Sequence, residues 1–421
     1  MIRVAVVGTG AIARSHAEGF LRFPDRCRIT ALVDIDLEKA RKLRNELGLD
    51  EGGQDAATGP DGSRGGVQAV DGGSDQVTVL SDYRELLHAT GGDADRSAGP
   101  AVDLVSICLP PSLHAEAAIA FLSHGVHVLV EKPMALSLEE CDRMVAAAAE
   151  SGALLSVVAQ NRFTQAMWRL KTVLDTGLLG KALYRRIDSV WWRGANYYDL
   201  TWRGTWASEG GGPTLNHAVH HIDLFLWMAG VPVEVQAVMG NLAHTNSELE
   251  DISLATLRYA DGSMAQITSS VIHHGEQQSL EFQGEHAMVS LPWAAAAYTA
   301  MGNGFPERNA ALEEKLHDAY HNAPELPFEG HTAQVADVLQ AIESGGAPLV
   351  DGIAGRTTME LITAIYKAAT TGMPVKLPLG REDPFYTRER FLQQVPRFHT
   401  KTRSVESFAE TRITLGRDFS R

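Results

Sequence analysis

Cysteine is scarce in this chain, which excludes a fold held together by disulfides. The 421 residues include three cysteines, Cys27, Cys108 and Cys141. An odd number of widely spaced cysteines in apolar or helical contexts is typical of reduced core thiols, not of disulfides or metal ligands. Because thiols stay reduced in the cytosol, the sequence predicts a cytoplasmic protein without a metal centre.

Long apolar runs and an excess of basic residues are also missing. No run approaches the ~20 residues needed to cross a bilayer, and no secretory leader follows Met1. The formal net charge is −15, whereas nucleic acids and anionic membranes attract basic surfaces. The sequence therefore predicts neither a nucleic-acid nor a membrane partner, and its length favours two domains.

The N-terminal part alternates predicted strands and helices, the pattern of a parallel, doubly wound sheet. The first strand, Ile2–Val7, leads into Gly8-Thr9-Gly10-Ala11-Ile12-Ala13, which matches G-x-G-x-x-A. In that motif the first glycine permits a tight turn and the second lets backbone approach a pyrophosphate, while the small third residue allows close helix packing. Because a strand precedes it and an amphipathic helix follows, the motif predicts a dinucleotide site.

Asp34 follows the predicted second strand, Ile29–Val33, roughly ~20 residues beyond the glycine loop. A carboxylate there holds the adenosine ribose hydroxyls and repels a 2′-phosphate, so NAD is favoured over NADP. The alternative is that Asp34 caps a helix over Leu37–Leu47. Residues 51–76 are rich in Gly, Asp and Ser and are predicted to form a solvated insertion.

A predicted strand at Val126–Val130 is followed by Glu131-Lys132-Pro133. Parallel sheets place their ligand sites beyond the carboxyl ends of the strands. A lysine there can hydrogen-bond a substrate hydroxyl and, when partly desolvated, lose its proton near neutral pH. The alternative is that Glu131 and Lys132 form a solvated loop pair.

From residue 160 onward the pattern changes to alternating strands with few helices between them. The strands predicted from this alternation are Ala182–Trp192, Val233–Met239, Ser253–Tyr259 and Ser263–Ser269. Asp261-Gly262 predicts a hairpin turn between the last two. The pattern indicates a second, α+β domain with a mostly antiparallel sheet, so the predicted domains are residues 1–159 and 160–421.

Residues 191–228 carry the candidate chemistry of the second domain. Aromatic side chains interleaved with arginines at 191–206 suit a sugar ring, although an aromatic core or an oligomer interface has the same composition. Asn216, His220 and Asp223 then have the i, i+4, i+7 spacing of one helix face. His220 can take a hydroxyl proton, Asn216 can orient substrate or imidazole, and Asp223 can fix the imidazole tautomer.

The other two histidines here, His217 and His221, are predicted to be structural. They lie on other helix faces than His220, and no cysteine accompanies them. Because metal sites depend on converging ligands, no metal is predicted at this cluster.

Taken together, these motifs resemble those of the glucose-fructose oxidoreductase/inositol dehydrogenase/rhizopine catabolism (Gfo/Idh/MocA) family. The resemblance spans nearly the whole chain and rests on Gly8–Ala13, Asp34, Leu109–His114, Glu131–Pro133 and Gly210–Asp223. It implies an N-terminal Rossmann domain and a C-terminal domain whose open, mostly antiparallel sheet forms a homodimer or homotetramer interface. Members of the family mostly oxidise or reduce one carbon of a sugar or cyclitol with NAD(P).

The resemblance also implies roles for individual residues. Lys132 would contact the reacting hydroxyl and His220 would be the general base, with Asn216 as the third catalytic residue. Inositol dehydrogenases have Asp at the position of Asn216, and a neutral amide cannot raise imidazole basicity as a carboxylate does. The residues predicted to bind the cofactor are Gly8, Thr9, Gly10, Ala11, Ile12, Asp34, Leu109, Pro110, His114, Glu131, Lys132 and Asn161. Those predicted to contact the substrate are Arg162, Trp192, Trp206, Asn216 and His220.

The sequence thus predicts an NAD-dependent dehydrogenase that acts on a sugar, sugar derivative or cyclitol. One alternative is an NAD-recycling glycosidase of the same fold, which would not accumulate NADH. Another is a non-catalytic sensor of dinucleotide or sugar, since fold alone does not determine function. The presence of both Lys132 and His220 counts against the sensor.

Overall fold

The computed structural model describes residues 1–49, 77–87, 101–408 and 410, so the predicted insertion at 51–76 lies outside the described residues. The first elements in chain order are β1 (Ile2–Val7), α1 (Ala13–Leu21), β2 (Cys27–Val33), α2 (Leu37–Glu46), β3 (Thr78–Leu80), β4 (Leu104–Ile107), α3 (His114–Leu122), β5 (His127–Val130), α4 (Leu138–Ser151) and β6 (Leu155–Val157). Among the described residues, no helix is both long enough and apolar enough to cross a membrane.

The remaining elements form the rest of the chain. They are α5 (Gln165–Asp175), β7 (Ala182–Val190), α6 (Trp206–Glu209), α7 (Pro213–Asn216), α8 (Val219–Ala229), β8 (Glu234–Gly240), β9 (Ile252–Arg258), β10 (Met264–Ser270), β11 (Gln278–Gly284), β12 (Ala287–Leu291), β13 (Ala294–Ala300), β14 (Pro306–Arg308), α9 (Ala310–His321), α10 (Gly330–Ser344), α11 (Gly352–Thr371), β15 (Val375–Lys376) and α12 (Arg388–Gln394).

The first six strands form one parallel sheet in the order β3-β2-β1-β4-β5-β6. This confirms the predicted doubly wound Rossmann sheet. The strands β1 and β4 are buried on both faces, as expected where crossover helices cover a parallel sheet. Strand order reverses between β1 and β4, and ligands bind beyond the carboxyl ends of strands at such a point.

The later strands form a nine-stranded sheet in the order β14-β13-β12-β11-β7-β10-β9-β8-β15. Neighbours are antiparallel except β7 and β10, which are parallel. This confirms the predicted, mostly antiparallel second sheet. Gly262 has φ +85° in the turn between β9 and β10, where a hairpin favours glycine.

The chain packs into two compact units, each of which is built from three separate segments of the chain. The first comprises Met1–Glu131, Met144–Val158 and His331–Asp351, and the second comprises Lys132–Arg143, Ala159–Gly330 and Gly352–Arg421.

A division at residue 159 alone, however, places α10 in the wrong unit. The helix packs its buried residues Val335, Val338 and Leu339 into the core of the first unit. A side chain at Gly19 of α1 would begin 3.3 Å from Val335 Cγ2, so the two helices pack closely. The sequence alone does not show this, because an amphipathic helix can cover either sheet.

Candidate active site

The loop after β1 combines a tight turn with open space. Gly8 has φ +90°, and a Cβ there would lie 2.7 Å from the carbonyl oxygen of Cys108, which follows β4. A Cβ at Gly10, by contrast, would meet no atom within 4 Å. No side chain caps the N-terminus of α1. The loop therefore has room and backbone N–H groups for an anion such as a pyrophosphate.

Asp34 is fixed against this loop. Its Oδ2 accepts hydrogen bonds from the amide N–H and the hydroxyl of Thr9, each at 2.8 Å, and its Oδ1 accepts one from the Asp36 amide at 2.9 Å. The helix α2 is capped by Asp36, which accepts from the amides of Glu38 and Lys39. The alternative prediction of Asp34 as helix cap is therefore wrong, because Asp36 has that role.

In the segment after β4, Pro110 is exposed and His114 is buried. His114 has no exposed surface, and its Nε2 donates to the carbonyl oxygen of Leu109 at 2.8 Å. The ring thus supports the Leu109 backbone from inside the first unit. This placement favours the packing interpretation of His114 over a direct contact with the cofactor.

Glu131 lies between two histidines in the first unit. Its Oε1 is 2.9 Å from His16 Nε2 and 3.7 Å from His331 Nε2, and His16 Nδ1 is 2.7 Å from Ser106 Oγ. Among the described residues, His16, Glu131 and His331 form a possible metal-ligand group. Two ligand atoms on a tetrahedral zinc ion lie about 3.3 Å apart, so 2.9 Å indicates a direct hydrogen bond. The arrangement is a buried hydrogen-bond network that holds Glu131 directly before Lys132.

In the second unit, Lys132 and His220 both affect the pKa of one histidine. Burial lowers the pKa of His217 well below its ordinary value. Electrostatic interactions with Arg193, Arg203, Lys132 and His220 lower it further. The two residues predicted to handle the substrate hydroxyl, which are 88 positions apart in the sequence, thus act electrostatically on the same imidazole.

The predicted single helix over Asn216–Asp223 is wrong in detail. The chain forms α7 up to Asn216 and starts α8 at Val219, with His217 at φ −110° between them. Asn216 Nδ2 donates to the Gly211 carbonyl oxygen at 2.5 Å, so its side chain points back to the glycine turn, which is formed by residues 210–212. Of the predicted polar stripe, His220 and Asp223 share a helix and Asn216 does not.

A buried carboxylate holds the glycine turn that precedes α7. Glu250 accepts hydrogen bonds from the amides of Gly212 and Thr214, at 3.0 and 3.2 Å, and from the Tyr366 hydroxyl at 2.9 Å. Burial raises the pKa of Glu250 to about 7, while these hydrogen bonds lower it. No local pattern singles out Glu250 in the sequence, because its donors come from residues far away in the chain.

Arg162 and Asp223 form a buried ion pair. Arg162 Nε and Nη2 donate to the two carboxylate oxygens of Asp223, both at 2.7 Å, and both side chains are less than a tenth exposed. The Thr358 hydroxyl is 3.4 Å from Asp223 as well. Asp223 is therefore oriented towards Arg162, and the predicted role of fixing an imidazole tautomer is not supported.

The aromatic residues divide between core and surface. Trp206 is 2% exposed, donates from Nε1 to the Pro396 carbonyl oxygen and packs edge-on against Tyr366. This placement corrects the prediction of Trp206 as a substrate contact, because a side chain inside the core cannot reach a ligand. Trp192 is 43% exposed and stacks on His274 with ring centroids 5.2 Å apart, so its ring remains accessible to a substrate.

Asn161, which was predicted to bind the cofactor, is half-buried in the 3-10 helix Gln160–Phe163.

Comparison with known proteins identifies the family. A model of the NAD-binding Rossmann domain of the Gfo/Idh/MocA oxidoreductases matches residues 2–159, and a model of a Gfo/Idh/MocA C-terminal domain matches residues 167–290. The chain belongs to the Gfo/Idh/MocA oxidoreductase family. The resemblance predicted from the motifs is thereby confirmed, and so is an NAD-binding oxidoreductase.

Individual relatives of known activity are distant. The 2,7-anhydro-N-acetylneuraminate hydratase of Mediterraneibacter gnavus is 26% identical over 52% of this chain and 58% of its own length, so this chain spans little more than half of that relative. The 1,5-anhydro-D-fructose reductase of Ensifer adhaerens is 25% identical over 75% of this chain and 94% of its own length. The WlbA dehydrogenase of Bordetella pertussis, solved with NADH and UDP-GlcNAcA, is 25% identical with a TM-score of 0.68, covering 90% of this chain and 99% of that one.

The loop of this family member fits NAD. The open side of Gly10 and the uncapped start of α1 suit a pyrophosphate, and the Asp34 carboxylate is held at the end of β2 by Thr9. A carboxylate in that place accepts hydrogen bonds from ribose hydroxyls. When bound, NAD supplies a hydride acceptor at its nicotinamide ring.

The buried pair of Arg162 and Asp223 yields a stability prediction. Asp223→Asn leaves the Arg162 charge buried without a full countercharge, so we expect the free energy of unfolding to fall by about 3–5 kcal/mol. The exposed pair of Lys171 and Asp175 is the control, and Asp175→Asn should cost less than about 1 kcal/mol. Urea denaturation measures both, and equal losses in the two variants would contradict a structural role for Asp223.

Proposed function

We propose that this protein is an NAD-dependent dehydrogenase that oxidises one hydroxyl of a sugar, sugar derivative or cyclitol. The observation that supports it best is that Lys132 and His220 both belong to the second unit and both lower the pKa of His217. An ammonium and an imidazole suit the oxidation of a carbinol, because one can stabilise an alkoxide and the other can accept the hydroxyl proton.

In the proposed reaction the substrate hydroxyl is held by Lys132 and His220. His220 takes the hydroxyl proton, and the Lys132 ammonium stabilises the negative charge that develops on the oxygen. Asn216, whose side-chain amide donates to the Gly211 carbonyl oxygen, is a neutral residue at the position where inositol dehydrogenases have a carboxylate. The protein contributes positioning and electrostatics, and the hydride leaves the carbinol carbon for the nicotinamide.

The arginines of this part of the second unit favour an uncharged substrate. Arg193 pairs with Glu276 at 2.8 Å, and Arg203 pairs with Glu209 at 2.5 Å. Arg162 pairs with Asp223. Because each of these guanidinium groups already has a carboxylate partner, a substrate carboxylate or phosphate is not needed to balance them. The exposed Trp192 ring offers a face for the C–H groups of a sugar.

The first experiment is NADH absorbance across a panel of hexoses, pentoses, anhydrosugars and inositols, with NAD and NADP supplied in parallel. We expect absorbance to grow with at least one sugar and NAD, and more slowly with NADP, because Asp34 would repel a 2′-phosphate. A flat trace from a protein that binds NAD contradicts the proposal. Release of an aglycone without NADH would support the NAD-recycling alternative, which the similarity to a hydratase also favours.

Removal of the lysine tests its role directly. Lys132→Ala should lower kcat by about 10²–10³-fold, because one positioned donor to the developing oxyanion is lost. NAD affinity, measured by fluorescence titration, should change far less than kcat, because the glycine loop and Asp34 provide most of the predicted cofactor contacts. Lys315→Ala, which removes an exposed lysine of α9 in the same unit, is the matched control and should retain wild-type turnover. A Lys132→Ala variant with near-native kcat would exclude this role.

We further propose that the protein is cytoplasmic and forms a homodimer or homotetramer through the second sheet. Apolar side chains on three neighbouring strands are exposed on one face of this sheet, namely Val238 (63%), Leu254 (43%) and Met264 (52%). Val238 and Leu254 are direct cross-strand neighbours, and an apolar face of this kind is typical of an interface between copies. Sedimentation velocity tests the proposal, and a monomer at micromolar concentration would contradict it.

A further inference from the structure

Glu250 is a buried carboxylate that the proposed reaction does not use. It precedes β9 and has no exposed surface. Its two oxygens accept three hydrogen bonds, from the amides of Gly212 and Thr214 and from the Tyr366 hydroxyl of α11. All three partners are donors, which matches an ionised carboxylate because that group accepts and does not donate.

The glycine turn fits so closely around Glu250 that two of its positions exclude any side chain. A Cβ at Gly212 would lie 2.0 Å from the Glu250 carbonyl oxygen, and a Cβ at Gly211 would lie 2.2 Å from the Tyr366 hydroxyl oxygen. The preceding residue, Gly210, has φ +83°. The turn therefore cannot shift towards Glu250, and its hydrogen bonds prevent it from moving away.

The turn is joined to α7 and α8 by backbone hydrogen bonds. The backbone N–H of Asn216 donates to the Gly212 carbonyl oxygen at 2.9 Å, and the backbone N–H of Ala218 donates to the Pro213 carbonyl oxygen at 2.8 Å. The Ala218 carbonyl in turn accepts from the Ile222 amide at 2.7 Å in α8. His220 lies in the first turn of that helix, so its position depends on the turn at residues 210–212.

We propose that Glu250 is a positioning residue, which holds the glycine turn and thereby places Asn216 and His220 for the reaction. The proposal rests on the proposed function in one respect, that His220 acts on the substrate. Glu250 itself acts only through the backbone of Gly212 and Thr214. Small displacements of catalytic groups are costly, since an error of about 1 Å can lower a rate by about 10²-fold.

The main variant is Glu250→Gln, which keeps the shape of the side chain. Its amide presents N–H groups to at least one of the three donors, so the turn loses hydrogen bonds. The matched control is Glu360→Gln. Glu360 is also a buried glutamate of the second unit, but it accepts from the Leu379 amide and pairs with Arg356.

The first readout is hydrogen exchange at the Gly212 and Thr214 amides, which requires no activity. We expect exchange to be at least about tenfold faster in Glu250→Gln than in the wild type, because a buried backbone hydrogen bond is weakened. Glu360→Gln should leave both amides unchanged. Equal exchange in Glu250→Gln and the wild type would overturn the proposal, whether or not a substrate has been found.

The second readout separates positioning from stability alone. With a substrate in hand, Glu250→Gln should lower kcat by about 10–100-fold and raise the primary deuterium isotope effect on kcat, because hydride transfer becomes slower than product release. Glu360→Gln should keep both values. Faster exchange combined with an unchanged kcat and isotope effect would reduce Glu250 to a structural residue and overturn the proposal.

A second variant keeps the test decisive if Glu250→Gln does not fold. Tyr366→Phe removes one of the three donors and keeps the aromatic ring, so smaller changes in the same directions are expected. Unchanged exchange and unchanged kcat in Tyr366→Phe would then overturn the proposal. A wild-type protein that oxidises no sugar would defeat the dehydrogenase proposal, while the exchange measurement would still decide whether Glu250 holds the turn.

Discussion

The second unit depends on the contact between the glycine turn at residues 210–212 and the buried carboxylate of Glu250. Gly211 and Gly212 lie against Tyr366 and Glu250 at distances that admit no Cβ. Burial of Glu250 raises its pKa to about 7, so its ionised form is costly and needs the donors around it. The chain breaks between α7 and α8, and His220 lies in the first turn of the second of these helices.

Charge in the same region is arranged so that buried cations have partners within the chain. Arg162 pairs with Asp223, Arg193 with Glu276 and Arg203 with Glu209. An unpaired buried charge would cost several kcal/mol, so these pairs leave the guanidinium groups in structural roles. In the proposed reaction, the hydroxyl chemistry is carried out by the Lys132 ammonium and the His220 imidazole. Lys132 lies in the part of the chain that matches the family's Rossmann domain, and His220 lies in the part that matches its C-terminal domain.

Local sequence patterns predicted much of the fold and part of the candidate site. Some of the features that were missed depend on contacts between residues far apart in the chain. The glycine loop, the Asp after β2 and the two sheets follow rules of spacing and alternation, so they are readable from the sequence. Trp206 could not be placed in the same way, because a buried tryptophan and a sugar-binding one look alike in a sequence. Glu250 gave no local signal, since its donors Gly212 and Tyr366 are 38 and 116 residues away. The break at His217 was missed because the spacing of Asn216, His220 and Asp223 also fits one continuous helix.

In the proposed reaction, a hydride moves from a carbinol carbon of a sugar to NAD and stays there. The most direct measurement uses a substrate from the sugar panel that carries deuterium on the reacting carbon, with the nicotinamide product examined by mass spectrometry and proton NMR. We expect NADH to accumulate with one deuterium at C4 of the ring, and the oxidised sugar to have lost that deuterium. Sugar that is converted while the nicotinamide pool remains NAD, without net deuterium transfer, would exclude net oxidation and favour a redox-recycling reaction.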